Sequence, residues 1–374
     1  MRVALVIERF EPRGGGVESV AWNAAGALAR RGVEVHVLAR RGQDHPDAAL
    51  HRLAVPSFWQ PLRVLAFSRA AARCAAAERF DVVHAFSRTR HQHVFRAGGG
   101  SHADYLARSH GALGVRLRRL SPRHAVLLAM ERAVFADPRQ TIQCNSTMVR
   151  DELAARGVPR ERLVVIANGV DLERFHPRRR EAAFRRLREP MVPAGGGGPG
   201  AADAPVWLFA GSGFRRKGLE VALRALARSA PSAMLWVAGR DEPAPWRRRA
   251  EALGVGPRVR FLGLRDDLAD LYAAADALLL PTRYDAFANV CLEALASGLP
   301  VVTSGANGAA LLVREAGVVV EDPGDVDGFA KALDGLADPA RRAGLGQRAR
   351  ALAQGHGWDA HAAALCELYE RLAA

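Results

Sequence analysis

The chain has 374 residues, of which 49% are hydrophobic and 25% are charged, a composition typical of a folded protein with two or three domains. This composition excludes a disordered, collagenous or coiled-coil chain. The formal net charge is +14 and only two of the 53 basic residues are lysines, Lys217 and Lys331, a bias that favours a coding preference over selection for nucleic acid.

The chain begins with a predicted strand. Residues 1–7 form a short apolar run that meets Glu8 and Arg9, whereas a signal peptide needs a longer apolar stretch and a small-residue cleavage site. No run of 18 apolar residues occurs, so we expect no membrane span. The four cysteines lie about seventy or more residues apart, which supports neither a disulfide framework nor a zinc site. They are Cys74, Cys144, Cys291 and Cys366.

Short β-branched runs alternate with helical stretches through the first half, which predicts a parallel sheet with crossover helices. The predicted strands are residues 3–7, 33–38, 51–55, 82–85, 141–144 and 163–166. The predicted helices are residues 17–31, 62–79 and 148–156.

Residues 178–205 interrupt this pattern. An arginine-dense segment is followed by a low-complexity stretch rich in glycine and proline, which is typical of a mobile linker. The sequence therefore predicts a domain boundary here, between a first domain of residues 1–177 and a second domain of residues 206–356.

The second half repeats the alternation. Its predicted strands are residues 206–210, 233–238, 259–262, 277–280, 300–303 and 317–320, and the tail from Asp325 is helical. Asp325 and Asp327 form a DxD at the start of this tail, where helix capping is favoured over metal binding. We expect an α/β fold with two doubly wound, Rossmann-like domains facing a cleft, and ligands beyond the carboxyl ends of the strands.

The most informative stretch is residues 284–300, which follows one apolar strand and precedes another, so that strand, loop, helix and strand form one unit. Polar residues recur at every fourth position, namely Asp285, Asn289, Glu293 and Ser297, and this spacing predicts a polar stripe on one helix. A rise of 1.5 Å per residue would separate Asp285 from Glu293 by about 12 Å, roughly the span from a sugar across a diphosphate to a ribose. The helix N-terminus between them would favour a phosphate. The alternative is that Asp285 caps the helix and Glu293 faces solvent.

A glycine-rich loop with three cations follows the predicted strand 206–210. It is not a P-loop, because Gly218 is followed by neither the lysine nor the Ser/Thr of that motif. The cations Arg215, Arg216 and Lys217 could still neutralise a diphosphate leaving group. The alternative is a solvated basic loop.

Two glycine clusters lie in the first half. Residues 13–18 follow the first strand but lack the dinucleotide fingerprint, because Ser19 takes the place of its third glycine. Their bare backbone can nevertheless approach a ligand closely. Residues 97–102 offer a similar approach together with the imidazole of His102, although a lone histidine is more often structural.

Taken together, these motifs resemble the retaining glycosyltransferases of family 4, which carry two acidic residues eight positions apart, here Asp285 and Glu293. The similarity extends along nearly the whole chain. The other matching segments are residues 165–171 with Phe175 and Pro177, Gly14–Glu18, Arg216–Gly218 and Asn307–Gly308. The order of motifs is most similar to that of the glucosyltransferases of the lipopolysaccharide inner core.

The resemblance implies a GT-B fold whose first domain binds the acceptor and whose second binds the nucleotide sugar, with a last helix at about 357–374 packing back on the first. It implies that Asp285 holds hydroxyls of the donor sugar, that Arg216 and Lys217 bind the diphosphate, and that these three are catalytic. It places Glu293 at the ribose. The remaining implied donor-binding residues are Gly15, Gly16, Ser212, Phe287, Ala288, Asn289 and Val290, and the sugar-proximal ones are His102 and Glu18.

Two positions depart from the family pattern. The first acidic residue is Asp285 rather than the commoner glutamate, so its reach is shorter by one methylene. The usual arginine five residues before the phosphate-binding lysine is absent, because Ser212 stands there, and Arg216 would have to serve in its place.

The resemblance further implies transfer with retained anomeric configuration and with no metal or other cofactor. Cleavage of the anomeric bond develops negative charge on the diphosphate and oxocarbenium-like charge on the sugar. Fixed cations and helix N-termini would stabilise the former. The departing phosphate itself would accept the proton of the acceptor.

Residues 106–136 interleave six arginines with leucine and valine. This composition suits a helix on an anionic inner leaflet or one that grips a phosphorylated lipid acceptor, and two ordinary surface helices are an equal alternative. Residues 1–177 hold 27 arginines against 16 acidic residues, which indicates an anionic partner for this half. We expect a cytoplasmic protein, peripheral on the inner face of the inner membrane.

The expected function is transfer of a hexose, glucose from UDP-glucose, to an inner-core sugar of a lipid-linked saccharide. Alternatives are family 4 transfer onto an exopolysaccharide or another glycoconjugate, and a nucleotide-sugar epimerase of the same fold. A basic nucleic-acid or membrane module is a non-enzymatic alternative. Aromatic residues make up only 6% of the chain, which argues against single-strand stacking, so we expect no nucleic-acid partner.

Overall fold

The computed structural model describes residues 1–12, 14–56, 58–109, 121–188 and 204–373. The chain forms two compact units. The first unit comprises Met1–Gly169 and His356–Ala374, and the second comprises Val170–Gly355.

The first unit is built on a seven-stranded sheet with the order β3-β2-β1-β4-β5-β6-β7. Neighbouring strands are parallel; Val3 of β1, for example, pairs with Val35 and Val82 on its two sides. Residues 3–7 are fully buried because a parallel sheet covered on both faces requires near-continuous apolar strands. The strands are β1 (Arg2–Phe10), β2 (Glu34–Gly42), β3 (Ala49–Arg52), β4 (Val82–Ala85), β5 (Val94–Arg96), β6 (Thr141–Cys144) and β7 (Leu163–Val165).

The helices of the first unit cover this sheet. The C-terminal helix packs in the same core as the first helix, and its buried Tyr369 hydroxyl lies 2.6 Å from Nδ1 of His84 on β4. The helices are α1 (Gly16–Arg30), α2 (Gln60–Glu78), α3 (His102–Ser109), α4 (Pro122–Ala136), α5 (Thr147–Ala155) and the C-terminal α15 (Trp358–Ala373), with a 3-10 turn at Arg160–Arg162.

The six strands predicted for this half are present, but β5 was not predicted. It has only three residues, and it ends in a charged one, Arg96, so it carries no hydrophobic run that a sequence pattern could detect.

The second unit repeats the plan on a six-stranded parallel sheet with the order β10-β9-β8-β11-β12-β13. This is the doubly wound order: strands are added towards one edge of the sheet from β8 to β10 and towards the other edge from β11 to β13, so the strand order reverses between β8 and β11. The strands are β8 (Val206–Ala210), β9 (Met234–Ala238), β10 (Val259–Gly263), β11 (Ala277–Leu280), β12 (Val301–Ser304) and β13 (Gly317–Val320). The helices are α6 (Arg180–Ala183), α7 (Phe214–Lys217), α8 (Leu219–Arg228), α9 (Ala244–Ala252), α10 (Leu268–Ala274), α11 (Asn289–Ala296), α12 (Ala310–Val313), α13 (Val326–Gly335) and α14 (Pro339–Gln354).

Residues 170–188 belong to the second unit, so the division falls earlier than the linker at 178–205 that the sequence predicts. The reason is a buried carboxylate. Asp276 pairs with Arg180 at 3.0 Å and with Arg188 at 2.8 Å, which ties this arginine-dense segment to the second sheet. A π-helical turn at Phe184–Arg188 continues α6. The glycine-rich part, residues 189–203, lies outside the described residues.

Other expectations can be compared directly with the structure. Asp325 caps α13, because its Oδ1 accepts a hydrogen bond from Gly328 N at 2.9 Å, and the capping interpretation of the DxD is confirmed. The four cysteines are free. Within the described ranges, no helix combines the length and the apolar character that crossing a bilayer demands.

Candidate functional site

The strand order of the second unit identifies where a ligand would lie. In open α/β sheets, ligands occupy the crevice at the carboxyl ends of the strands where the order reverses. In this unit those strands are β8 and β11. The loops that follow them hold Arg216, Lys217 and Asp285, three of the residues that the sequence singles out.

The loop after β8 is a short helical turn, α7, rather than the solvated basic loop considered as an alternative. Glycines with left-handed φ angles of 81° and 84°, Gly213 and Gly218, lie on either side of it. Position 218 also has no room for a side chain, because a Cβ on Gly218 would lie 1.9 Å from the Pro281 carbonyl oxygen. This close approach holds α7 against the loop that follows β11.

Arg216 and Lys217 converge on Asp285. Lys217 Nζ lies 2.5 Å and Arg216 Nη1 3.0 Å from the same oxygen, Asp285 Oδ2. Arg216 Nη1 also donates to the Tyr284 carbonyl oxygen at 2.8 Å. The Lys217 and Asp285 side chains are only 9% and 14% exposed. Burial acts to raise the pKa of Asp285, but the charges of Lys217 and Arg216 outweigh it and lower this pKa. The cluster therefore holds a carboxylate and two cations, with a net charge of +1.

The structure corrects the predicted helical stripe. The helix α11 begins at Asn289, and Asp285 precedes it in a bridge with Asn307, so a rise per helical residue does not give the separation of Asp285 from Glu293. Asp285 N donates to the Ala306 carbonyl at 3.1 Å, and Gly308 N donates to the Asp285 carbonyl at 2.8 Å. These two bonds hold the segment extended. Asp285 is therefore not the N-cap, a position that Ala288 takes.

The start of α11 is organised by Asn307. Its Oδ1 accepts hydrogen bonds from Ala288 N at 3.2 Å and from Ala309 N at 3.1 Å, and its amide group donates to Thr303 Oγ1 at 3.0 Å. The sequence analysis noted Asn307 only as part of an Asn-Gly motif. Its structural role is to join the start of α11 to the end of β12.

Glu293 lies on α11, half-buried, and its Oε2 accepts a hydrogen bond from the Tyr272 hydroxyl at 2.9 Å. Tyr272 in turn packs edge-on against Phe175 at 5.8 Å between ring centroids. Burial raises the pKa of Glu293. The alternative of a solvated Glu293 is therefore wrong.

The remaining predicted residues of the second unit lie around this cluster. Phe287 N is 3.3 Å from Asp285 Oδ1, and Ser212 Oγ accepts from Arg240 N at 3.2 Å. Asn289 and Val290 form the first turn of α11.

The sequence analysis missed one residue of this loop, Asp241. Its carboxylate accepts from Gly213 N at 2.7 Å and from Phe214 N at 3.1 Å, and so satisfies the amino end of α7. Its signal in the sequence is its place three residues after the end of β9, at the same edge of the sheet.

The predicted residues of the first unit lie in two places. Gly15 and Gly16 begin α1 after β1, and Glu18 in its first turn accepts from Arg9 Nη2 at 2.9 Å. His102 lies buried at the start of α3, with its Nε2 2.9 Å from His124 Nδ1. Burial lowers the pKa of His102 to about 4, so the imidazole is neutral near pH 7.

Two further expectations concern metals and the segment 106–136. Among the described ranges no group of three or more His, Cys, Asp or Glu side chains is arranged to hold a metal ion. Of the arginine-rich segment, residues 110–120 lie outside the described residues, and the remainder forms parts of α3 and α4.

The chain matches two family models. Residues 14–174 match Glycosyltransferase Family 4, and residues 204–338 match Glycosyl transferases group 1. The two matches lie in both units and together include every predicted site residue.

Individual proteins are similar to the chain over large parts of it. D-inositol 3-phosphate glycosyltransferase of Corynebacterium kroppenstedtii is 34% identical over 228 residues, 56% of this chain and 48% of the relative. Lipopolysaccharide glucosyltransferase WaaG of Escherichia coli is 30% identical over 257 residues, 65% of this chain and 64% of the relative. In these matches the chain spans between about half and 64% of the relatives' own length.

Solved structures resemble the chain over nearly its full length. A crystal structure of WaaG, a glycosyltransferase involved in lipopolysaccharide biosynthesis, has a TM-score of 0.79 at 25% identity and covers 99% of this chain and 98% of its own. Anabaena HepE in complex with UDP-glucose has a TM-score of 0.75 at 19% identity, covering 99% of this chain and 100% of its own. The chain therefore belongs to the GT-B glycosyltransferases, with a Glycosyltransferase Family 4 domain followed by a group 1 domain.

Proposed function

We propose that the chain is a retaining, metal-independent glycosyltransferase that moves glucose from UDP-glucose to an inner-core sugar of lipopolysaccharide. The second unit would bind the nucleotide sugar and the first unit the acceptor. The observation that carries the proposal is the cluster of Arg216, Lys217 and Asp285 at the carboxyl ends of β8 and β11, where a doubly wound sheet binds ligands.

The cluster suits the departure of a nucleoside diphosphate. When the bond between the anomeric carbon and the phosphate oxygen breaks, its electron pair goes to the diphosphate, which gains negative charge. Arg216 and Lys217 are held in place by hydrogen bonds to Asp285 and Tyr284, so they stabilise this charge with little reorganisation. The positive charges already present make a metal unnecessary for this step.

The carboxylate would act on the sugar. Asp285 would accept hydrogen bonds from hydroxyls of the hexose and orient the ring, and Glu293, which Tyr272 holds at 2.9 Å, would accept from the ribose. The acceptor oxygen would attack on the face that the diphosphate leaves, and the departing phosphate would take its proton. The new bond would then have the configuration of the old one.

The choice of substrates draws on the relatives. Anabaena HepE is described in complex with UDP-glucose and supports a UDP donor. WaaG of Escherichia coli supports glucose and a lipopolysaccharide acceptor. The name of the Corynebacterium relative favours a second candidate, transfer to a small phosphorylated acceptor.

We also propose that the chain works at an anionic membrane surface through residues 106–136. Among the described residues of this segment, Arg108 pairs with Glu152 at 2.9 Å and Arg123 is exposed. Co-sedimentation with anionic vesicles at moderate salt is the expected result, and a protein that stays in the supernatant would contradict this part.

The donor is tested by the melting temperature of the full chain with UDP-, GDP- and ADP-sugars. We expect stabilisation by UDP-glucose, about 2.7 kcal/mol at a concentration of 100 times Kd. Lys217→Ala should weaken binding at least about tenfold, since it removes a charge-assisted contact to phosphate. Lys331→Ala is the matched control, because Lys331 is exposed on α13 and should bind UDP-glucose as the wild type does.

The reaction is tested with purified lipopolysaccharide core fragments as acceptor. We expect UDP release that requires the acceptor, an α-linked product from the α-linked donor, and the same rate in EDTA. A β-linked product would overturn retention, and loss of activity in EDTA would overturn metal independence. Donor turnover without any acceptor would instead favour the epimerase alternative.

A further inference from the structure

The first unit contains a cavity of about 710 Å³ at the carboxyl ends of its central strands. Its lining includes the last part of β1, the residues after β4 and the segment after β5. The cavity therefore lies where the strand order of the first unit's sheet reverses, between β1 and β4. Seven arginines and two glutamates line it, a formal charge of +5. A cavity of this sign attracts anions.

The two glutamates of the lining are already engaged by arginines. Glu8 Oε1 is 2.8 Å from Arg63 Nε and 3.2 Å from Arg40 Nε. Glu18 pairs with Arg9 at 2.9 Å. Arg88 pairs with Glu131, outside the lining, at 3.4 Å. The lining arginines with no acidic partner in the described part of the chain are therefore Arg41, Arg96 and Arg123.

Arg96, the last residue of β5, is the most unusual of these. It is 3% exposed, and no acidic partner pairs with it anywhere in the described ranges. Its Nη2 donates to the neutral Asn168 Oδ1 at 2.6 Å, and its guanidinium lies 5.3 Å from the centre of the Phe86 ring. Its buried Nε has no hydrogen-bond acceptor among the described residues.

Arg96 is therefore a buried cation without a counter-charge, and burying such a charge destabilises the folded state. Burial lowers its pKa to about 10, so it remains protonated at neutral pH. The backbone makes room for it, because a Cβ on Gly98 would lie 1.7 Å from Arg96 Nη1. A charge that burial disfavours, with an unused donor at a basic cavity, indicates an anionic ligand.

Two more lining arginines remain available to such a ligand. Arg41 and Arg123 are exposed at the cavity, and neither has an acidic partner within the described part of the chain. The general arginine bias of the sequence can account for these two exposed residues but not for Arg96, since a coding preference would add arginines at exposed and not at fully buried positions.

We propose that this cavity binds an anionic group of a saccharide, a phosphate monoester or a sugar carboxylate, with Arg96 as its buried anchor. On the proposed function, on which this part of the inference rests, the group is carried by the acceptor. The two chemistries share a planar pair of oxygens that a guanidinium can bind with two hydrogen bonds.

The test measures binding to the full chain by titration with glucose, glucose 6-phosphate and glucuronate, in saturating UDP to occupy the donor site. We expect at least one of the charged sugars to bind tenfold or more tightly than glucose. Comparison of the glucose 6-phosphate titration with the glucuronate titration shows whether the cavity prefers a phosphate or a carboxylate. Equal binding of all three sugars overturns the proposal.

Arg96→Gln tests the anchor. It keeps a donor for Asn168 and removes the charge, so we expect at least a tenfold loss of affinity for the charged sugar and a melting temperature no lower than that of the wild type. Arg73→Gln, on an exposed part of α2 outside the cavity, is the matched control and should bind normally. Unchanged affinity in Arg96→Gln overturns the proposal.

Two further variants keep the result interpretable. If Arg96→Gln does not fold, the double variant Arg41→Gln/Arg123→Gln, at exposed positions, should lose threefold or more, and an unchanged affinity counts against the cavity. Lys217→Ala should bind UDP at least about tenfold more weakly and keep its affinity for the charged sugar. Failure of the donor assignment is therefore distinguishable from failure of this inference.

Discussion

At the scale of single residues, Asp285 has two competing roles. It neutralises one of the two cations that would bind the diphosphate, and it is the carboxylate that would orient the donor sugar. Its short contacts to Lys217 and Arg216 at 2.5 and 3.0 Å show that the aspartate reaches both cations, at a position where the family more often has glutamate. The cations approach the carboxylate, so a longer side chain is not needed to reach them.

Substitution Asp285→Asn separates these roles. We expect UDP to bind at least as tightly as in the wild type, because the net charge of the cluster rises from +1 to +2. We expect glucosyl transfer to fall at least about a hundredfold, and the free energy of unfolding to fall by about 2–4 kcal/mol, since Lys217 loses its partner in a buried pair. Calorimetric titration with UDP, initial rates and urea unfolding measure the three quantities.

The matched control is Asp327→Asn. It makes the same chemical change in the exposed pair of Asp327 with Arg228, at 2.6 Å and 70% and 47% exposed, where an ion pair contributes about 0–1 kcal/mol. Weaker UDP binding in Asp285→Asn would show that the carboxylate serves the diphosphate side and not the sugar.

At the scale of elements, the site depends on how two loops approach each other. The helix α7 reaches the loop after β11 because Gly218 lets its backbone meet the Pro281 carbonyl. On the other side, Asn307 ties the start of α11 to the end of β12. Neither contact involves a charged side chain, yet together they position Lys217 and Asp285.

Gly218→Ala should therefore disrupt the site from a distance. The new Cβ would combine a left-handed φ of 84° with a contact of 1.9 Å to a backbone oxygen, and we expect a loss of about 3 kcal/mol or more together with weaker UDP binding. Gly254→Ala is the control, since φ is 72° there and no atom lies within 4 Å of the added carbon; it should cost about 1 kcal/mol. Equal unfolding free energies for the two variants would refute the close-contact argument.

At the scale of the whole molecule, the two units differ in how they respond to acid. Among the described residues the first unit holds five buried histidines, and for three of them burial lowers the pKa, of His84 to about 3 and of His102 and His361 to about 4. The second unit, Val170–Gly355, contains one histidine, His176, and it is half-buried. Acid should therefore act chiefly on the first unit.

The direction follows from the unfolded chain, in which histidine titrates near 6.5. Above that pH the three residues are neutral in both states and the stability is fully present. As the pH falls from 6.5 towards 4, the unfolded chain takes up protons that the folded unit does not, and each histidine costs about 1.4 kcal/mol per pH unit. Hydrogen exchange at pH 7 and pH 5 should show this loss in peptides of the first unit and much less of it in the second.

The variant His361→Asn checks the assignment. His361 Nδ1 lies 2.7 Å from the Ala167 carbonyl oxygen, a contact that an asparagine amide can replace, and the variant removes one titrating group. Its exchange rates should change less between pH 7 and pH 5 than those of the wild type. An identical pH dependence would contradict the role of this histidine.

The sequence by itself determined the local features of this protein. Alternation of β-branched runs with helical stretches predicts nearly all the strands. The motifs predict Arg216 with Lys217, and Asp285 with Glu293, because each of these signals lies within one short stretch of the chain. It did not predict β5, which is too short to carry a pattern.

Only the tertiary structure decided which side chains meet. Asp285 lies outside the helix and contacts Lys217, which is 68 residues away in the sequence. Arg96 lines a cavity and has no acidic partner among the described residues. These facts depend on the strand order of each sheet and on the close approach of distant loops. Residues far apart in the chain come together only after the sheets have formed, and spacing along the sequence carries no record of that packing.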